Sequence, residues 1–218
     1  AKTTAEEKGD WKPLVFIMTD GEPTDDWTKG FAKLKQWSGA QLVASAANAE
    51  MLENGGVTDF ALGKQLPFPS VAVDIIIKDG QQLKLGRQTF TARATPGHLP
   101  GATSWTTDIR HHFKNYKVIY ADSLFTGGYY LLSNNNYPNL VSDIRHTFKT
   151  LDAIHADIFL ANKADRFHMK QKLAKLNAGD KKAFIDQTGL QNYVAKGRIE
   201  FEQQLQQQQR LAQFKTLQ

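Results

Sequence analysis

The chain has 218 residues, of which 41% are hydrophobic and 22% are charged; its net charge is +5 and it contains no cysteine. This composition is ordinary for a globular protein of one large domain or two small ones, and it excludes disulfides, thiolate zinc sites and a cysteine nucleophile. The positive charges are spread without an arginine-rich block, so nucleic acid is not an expected partner. No apolar run approaches the ~20 residues of a membrane span, and the N-terminal AKTTAEEKGDWK is not typical of a signal peptide, so no membrane partner is expected.

The first predicted element is a buried strand at residues 13–19, PLVFIMT, because a short apolar run lies there between a proline and a glycine turn. It leads into TDGEPTDD, in which four of the eight residues are acidic. Carboxylates just past the end of a strand suit a hard cation such as magnesium. The alternative is a solvated acidic turn in which Asp25 or Asp26 caps the next helix.

The rest of the chain predicts a layered α/β arrangement with mixed sheets, because several strands come first and helix then alternates with strand. The spacing of Phe31, Leu34 and Trp37 predicts a helix that Gly39 ends. A helix at 140–154 is amphipathic, and the chain after residue 161 is helical with a break at Gly179. The other predicted elements are strands at 40–45, 71–77, 83–85, 89–95, 102–107, 116–121 and 157–161, and a short helix at 46–52.

The stretch 95–105, TPGHLPGATSW, predicts a strand, a tight loop and a second strand. Gly97 and Gly101 give the backbone freedom, while two prolines stiffen the bend. The loop presents one imidazole, His98, and neutral imidazole is the commonest metal ligand. The alternative is a surface hairpin with an incidental histidine.

Residues 3–28, with KGDWKPLVFIMTDGEPTDDW, resemble the central strand and following loop of a von Willebrand factor A-type domain of the kind in tellurite-resistance proteins. The resemblance implies that Asp20 helps to hold a metal-ion-dependent adhesion site. The family's main metal-binding motif, D-x-S-x-S, is absent from the sequence. This argues against a magnesium-dependent binding module as the function of the chain.

Six segments between residues 31 and 209 occur in the order and at the spacing of a known family: AKLKQWSGAQLVAS, DGQQLKLGRQTFTARATPGHLPGATSWT, VIYADSLFTGGYYLL, NLVSDIRHTFKTL, ADIFLA and KLAKLNAGDKKAFIDQTGLQNYV. With these segments, residues 31–209 resemble a metallo-β-lactamase of the third subclass. The resemblance implies an αββα sandwich with the active site at one edge of the two sheets, where zinc activates the water that opens the β-lactam ring of antibiotics. It also implies a domain at 31–218 with C-terminal helices, fused to the segment 1–30, and a periplasmic location.

The family's metal ligands are only partly kept. His98 matches the histidine of its GH-x-x-G-x-T loop, and Lys163 holds the place of its last histidine. The resemblance therefore leaves His98 and Asp26 as ligands, with Glu22 as a third candidate and Asp26 as the tentative catalytic residue. Counted back from Gly39, the places of the H-x-H-x-D-H motif hold Glu22, Thr24, Asp26 and Trp27.

This donor set predicts weak or absent activity, because catalytic zinc normally takes three protein ligands, mostly imidazoles, and a water. The ammonium group of Lys163 would oppose a dication by several kcal/mol at close range. A salt bridge of Lys163 with Asp26 or Glu22 is an alternative filling of the site. The competing functions are a zinc-dependent β-lactam hydrolase and a non-catalytic, degenerate or chimeric scaffold with an interaction or vestigial role.

Ser123 matches a family serine that helps to bind the substrate carboxylate, although Phe125 stands where a second serine is frequent. The alternative for Ser123 is a turn at the end of a strand, with Asp122 holding that turn. The resemblance also implies that this chain has a shortened first sheet, because only about twenty residues precede the ligand motif. Three alternatives follow: residues 1–20 substitute locally for the missing strands, a partner chain such as a second copy in a homo-oligomer covers the gap, or the fold is compromised.

Overall fold

A computed structural model describes residues 33, 35–65, 67–111 and 113–216. These residues form a mixed α/β structure, as the order of the predicted elements indicates. The strands are β1 (Val43–Ala44), β2 (Ile75–Ile76), β3 (Gln82–Leu85), β4 (Gln88–Ala94), β5 (Thr103–His111), β6 (Lys114–Ala121) and β7 (Ile158–Ala161). The helices are α1 (Ala46–Glu53), α2 (Leu140–Asp152), α3 (Met169–Asn177) and α4 (Gly189–Thr216), with 3₁₀ turns at Gly63–Gln65 and Ala164–Phe167.

The main sheet has five strands in the order β3-β4-β5-β6-β7. Its first three pairings are antiparallel, since short turns join these strands, and Gly86 takes the left-handed conformation at the first turn. The last pairing, β6 with β7, is parallel because α2 carries the chain back between them. The ends of β4 and β6 and the start of β5 therefore meet at one edge of the sheet.

One face of this sheet is covered by α2 and α4. The side chains that α2 buries recur at the helical spacing of three and four residues. Phe148 of α2 contacts Phe201 of α4, with ring centroids 5.8 Å apart, and both rings are essentially inaccessible. Each such side chain contributes roughly 2–3 kcal/mol by leaving water. The sheet's share of this core includes Ile119, Ala121 and Phe159.

Most of the predicted elements are confirmed, and two strands are corrected. The strand predicted at 71–77 is wrong except at Ile75–Ile76, and the strand predicted at 40–45 is reduced to Val43–Ala44. Within the described residues, these two short strands pair in parallel with each other and with no further strand. The strand predicted at 13–19 and the von Willebrand-like segment lie outside the described residues.

No helix in the described part of the chain combines the length and the apolar character needed to cross a membrane. The longest, α4, has 28 residues but carries charged and glutamine side chains along its length.

Candidate functional site

The loop with His98 joins β4 to β5 at the sheet edge, as predicted. Thr95 N donates to the carbonyl oxygen of Ala102 over 2.9 Å, which closes the loop. Gly97 has a φ of 137°, and a Cβ atom built on it would lie 2.6 Å from Cγ1 of Ile144 in α2. The loop is therefore pressed against the helix at a position where only glycine fits.

His98 is held inside this packing rather than displayed on the surface, since only 8% of it is exposed. The alternative of a surface hairpin with an incidental histidine is therefore wrong. Nδ1 of the imidazole lies 2.8 Å from the carbonyl oxygen of Phe125, and the hydroxyl of Tyr129 lies 3.2 Å from the same nitrogen. The rings of His98 and Tyr129 are stacked, with centroids 6.0 Å apart and planes 17° apart.

These contacts determine which nitrogen of the neutral His98 imidazole carries the proton. A carbonyl oxygen only accepts hydrogen bonds, so Nδ1 of His98 must carry the proton that it donates to Phe125. The hydroxyl of Tyr129 donates to the carbonyl oxygen of His98 over 3.1 Å, which leaves its lone pairs toward Nδ1. In the neutral ring, Nε2 is then the nitrogen with a free lone pair for a metal ion or a proton.

Tyr129 is a stable hydroxyl donor at neutral pH. Burial, and to a smaller extent the carboxylate of Asp59, raise the pKa of Tyr129 to about 12. Its ring also meets Phe60 edge to face, with centroids 4.9 Å apart. Two aromatic contacts and a protonated hydroxyl therefore place Tyr129 against His98.

Asp122 braces the end of β6, in the structural role that the sequence indicates. One carboxylate oxygen accepts from Ser123 N at 2.7 Å and the other from Thr103 N at 3.2 Å, while Asp122 N donates to the hydroxyl of Ser104 at 3.0 Å. Burial raises the pKa of the Asp122 carboxyl, and the two backbone donors and His98 only partly oppose this. Asp122 therefore ties β6 to β5 and lies within electrostatic reach of the imidazole.

Ser123 is buried, with 6% of its surface exposed. Its hydroxyl accepts from Phe125 N at 3.2 Å, which is the contact expected of a serine that caps a turn. No acceptor for the proton of this hydroxyl lies among the described residues. The hydroxyl of Tyr193 in α4 supports this turn by accepting from Leu124 N and donating to the carbonyl oxygen of Asp122, each over 3.1 Å.

Ser123 and Lys163, which are far apart in the sequence, both line a small cleft of about 10 Å³, roughly enough for one water molecule. Among its described lining residues are three cationic side chains, Lys163, Arg166 and Lys196, and one carboxylate, Glu200, which lies 3.9 Å from Nζ of Lys196. The other lining residues are Leu124, Phe125, Asn162, Tyr193 and Gly197. The excess of positive charge favours an anionic group on whatever molecule enters this cleft.

The remaining predicted ligands, Asp26 and Glu22, lie outside the described residues, as does Asp20. Among the described residues, no group of three or more histidine, cysteine, aspartate or glutamate side chains could hold a metal ion. These residues offer one imidazole, His98, and an ammonium group, Lys163, beside the same loop. By themselves, the described residues supply too few donors for a dinuclear zinc centre.

The sequence did not identify Tyr129, Arg166, Lys196 or Tyr193 as parts of this site. The only local signal for Tyr129 is the pair of tyrosines after two glycines in the FTGGYY stretch. The other three lie on helical segments whose charged and aromatic residues are equally consistent with a solvated or core face.

A solved structure described as a metallo-β-lactamase with a HARLDQ motif, from Cronobacter sakazakii, superposes on this chain with a TM-score of 0.78. The two are 53% identical, over 83% of this chain and 68% of the other. This chain belongs to the metallo-β-lactamase family. The described strands and helices are accordingly those of the metallo-β-lactamase fold, so the fold class predicted from the sequence is confirmed.

Two other metallo-β-lactamases match at lower identity. FEZ-1 from Legionella gormanii is 32% identical over 83% of this chain and 70% of the other, with a TM-score of 0.79. BJP-1, a subclass B3 enzyme of Bradyrhizobium japonicum, is 32% identical over 84% and 69%, with a TM-score of 0.76. These matches support the third subclass. No protein-family model matches the sequence.

The Cronobacter protein has also been solved as a variant in which one arginine, one glutamine and one lysine are each replaced by histidine. The six-residue motif HARLDQ does not occur in this sequence.

Proposed function

We propose that this chain is a metallo-β-lactamase-like protein that binds β-lactams through their carboxylate and hydrolyses them weakly or not at all. The observation that carries the proposal is the shared cleft of Ser123 and Lys163. An ammonium group there attracts a substrate carboxylate and repels a zinc ion. The same side chain thus favours binding and opposes metal-dependent chemistry.

Within this proposal, the chain's own side chains have separate roles. Ser123, Lys163 and Arg166 hold the carboxylate, the serine by a hydrogen bond and the other two by charge-assisted ones. His98 presents Nε2, because its Nδ1 is engaged by Phe125. In the family, zinc supplies the activated water and stabilises the anion of the opened ring.

Any residual zinc would depend on His98 with Asp26 and Glu22 as oxygen donors, Asp26 being the tentative catalytic residue. Alternatively, Lys163 pairs with Asp26 or Glu22 and fills the site as a salt bridge. Either arrangement is poorer in nitrogen donors than catalytic zinc sites usually are.

The test is the metal content and activity of the purified chain. We expect less than one zinc per chain by elemental analysis, and slow nitrocefin turnover that a chelator abolishes, or none. Two tightly bound zinc ions per chain with rapid turnover would contradict the proposed weak or absent activity. Chelator-resistant turnover would exclude zinc as the cause.

The role of Ser123 is tested separately by nitrocefin binding. We expect Ser123→Ala to weaken binding by roughly tenfold, which corresponds to the loss of one hydrogen bond of about 1.4 kcal/mol to a charged group. Ser142→Ala, which removes an exposed serine hydroxyl at the start of α2, outside the cleft, is the control and should leave binding nearly unchanged. Unchanged binding in Ser123→Ala as well would assign Ser123 only the turn-capping role.

A non-catalytic interaction role is the alternative, and α4 supplies the observation that favours it. Ile199, Leu211 and Phe214 are 58%, 57% and 67% exposed. At 3.6 residues per turn they fall within about a third of the helix circumference. We propose that a homo-oligomer or another protein would use this surface; sedimentation of the purified chain distinguishes a monomer from an oligomer.

We propose that residues 31–218 form the metallo-β-lactamase-like domain and that residues 1–30 are a segment fused to it. A periplasmic location is proposed on the family resemblance alone.

A further inference from the structure

The segment between β6 and α2 carries the groups that hold His98, yet its residues 122–139 form neither helix nor strand. Its backbone is bonded instead to side chains of α4. Two glutamines one helical turn apart, Gln204 and Gln208, make these bonds. Such a spacing places both side chains on the same face of the helix.

Gln204 uses both ends of its carboxamide. Its nitrogen donates to the carbonyl oxygens of Thr126, at 2.9 Å, and Tyr129, at 3.0 Å. Its oxygen accepts from the hydroxyl of Thr126 at 2.8 Å. Gln204 thereby fixes the two ends of the tight turn that contains Gly127 and Gly128.

Gln208 repeats the arrangement one turn further along. Its nitrogen donates to the carbonyl oxygen of Tyr129 at 2.7 Å, and its oxygen accepts from Leu131 N at 2.8 Å and more distantly from Leu132 N at 3.4 Å. The Tyr129 carbonyl is thus the shared acceptor of both glutamines. A carboxylate could not replace either amide, since it would offer no donor to that carbonyl.

The carbonyl group that both glutamines bond belongs to Tyr129, which also contacts His98 through its hydroxyl. The hydroxyl of Tyr129 lies 3.2 Å from Nδ1 of His98 and donates to its carbonyl oxygen over 3.1 Å. Phe125, whose carbonyl accepts the Nδ1 proton, directly precedes the residue that Gln204 bonds. A continuous set of contacts therefore runs from α4 to the imidazole.

We propose that Gln204 and Gln208 are positioning residues for His98: through Tyr129 and Phe125 they hold the imidazole in the tautomer with the proton on Nδ1 and present Nε2 to the site. This inference rests on the proposed function only in treating His98 as the working imidazole of the cleft. The tautomer itself exists with or without metal or substrate.

The experiment compares two double variants of the full chain. Gln204→Ala with Gln208→Ala removes the bonds to the loop. Gln203→Ala with Gln207→Ala changes the same residue type at the same spacing on exposed neighbouring positions of α4. In each protein, ¹⁵N NMR of labelled histidine reads the two ring nitrogens of His98 at a pH about two units above the ordinary imidazole pKa of about 6.5.

In the wild type and the 203/207 variant we expect widely separated signals, with Nδ1 protonated and Nε2 unprotonated. In the 204/208 variant the two signals should move toward each other as both tautomers become populated. Amide hydrogen exchange at Leu131 and Leu132 should also accelerate by roughly five- to tenfold in that variant only, as expected for the loss of one hydrogen bond.

A 204/208 variant that is less stable but keeps the wild-type His98 signals would overturn the proposal, because the glutamines would then act on stability alone. If the double variant fails to fold, Gln208→Ala and Tyr129→Phe replace it, each removing fewer bonds. Unchanged His98 signals in both would equally overturn it. Since the readout needs neither zinc nor β-lactam, an inactive protein leaves the positioning result intact.

Discussion

His98 and Lys163 border the same segment, residues 122–130, but the protein surrounds them very differently. His98 is 8% exposed and meets Phe125, Tyr129 and the close packing of Gly97 on Ile144. Lys163 is exposed, in a cleft that holds two further cations. One side of the site is a packed interior and the other is a charged surface.

The two positions depend on different surroundings. The packing around His98 depends on glycine, backbone carbonyls and aromatic rings, none of which needs a metal ion. Lys163 lies at an exposed position, where a charged side chain loses little hydration. The two positions can therefore be changed separately.

The packed side should give the largest effect. We expect Gly97→Ala to lower the free energy of unfolding by about 3 kcal/mol, because a φ of 137° is unfavourable for alanine and its Cβ would lie 2.6 Å from Cγ1 of Ile144. Urea denaturation measures this. Gly128→Ala is the matched control: its φ is 83° but nothing lies within 4 Å, so about 1 kcal/mol is expected. Equal losses in the two variants would mean that the packing of the loop on α2 contributes nothing.

The charged side should give a smaller effect, of one to two powers of ten in zinc affinity. Lys163→His replaces a repelling ammonium group by a nitrogen donor, and we expect zinc to bind roughly ten- to a hundredfold more tightly. Competition with a fluorescent chelator measures the affinity. Lys196→His makes the same change elsewhere in the cleft and should have little effect. A similar gain in both variants would show only that an added histidine binds zinc, and no gain in either would place Lys163 away from the metal position.

The smallest effect concerns Asp122, which lies between the two sides. Burial raises the pKa of its carboxyl, so the folded state favours the protonated form. Its contribution to stability is therefore complete below the unfolded pKa of about 3.9 and is lost as the pH rises through the folded value. Relative to the wild type, Asp122→Asn should become steadily more stable as the pH rises above about 4 in urea titrations.

Asparagine has one acceptor oxygen where the carboxylate has two, so the variant loses one hydrogen bond. This loss changes the difference in free energy of unfolding by the same amount at every pH and leaves its dependence on pH unchanged. A difference for Asp122→Asn that does not change with pH would contradict the raised pKa.

Local patterns predicted a large part of the fold. The strands at 89–95 and 116–121 and the helix at 140–154 agree with β4, β6 and α2 to within a few residues, because alternation and helical spacing are properties of adjacent residues. The loop with His98 was predicted for the same reason, since its glycines and prolines lie beside the histidine.

Partners from distant parts of the chain were not predictable in this way. Tyr129 lies 31 residues after His98, and Gln204 lies 78 residues after Thr126. Nothing within either stretch signals the other. The short strand at Ile75–Ile76 shows the same limit, because a run of apolar residues cannot indicate how much of a partner strand will be present.

The glutamine contacts of α4 also set an order of events during synthesis. Gln204 and Gln208 follow His98 by 106 and 110 residues. The imidazole at position 98 is therefore translated long before the two glutamines, and it reaches its final position only after α4 has left the ribosome. A stop codon between positions 162 and 204 would leave all five strands of the main sheet encoded but would remove the side chains that position the histidine.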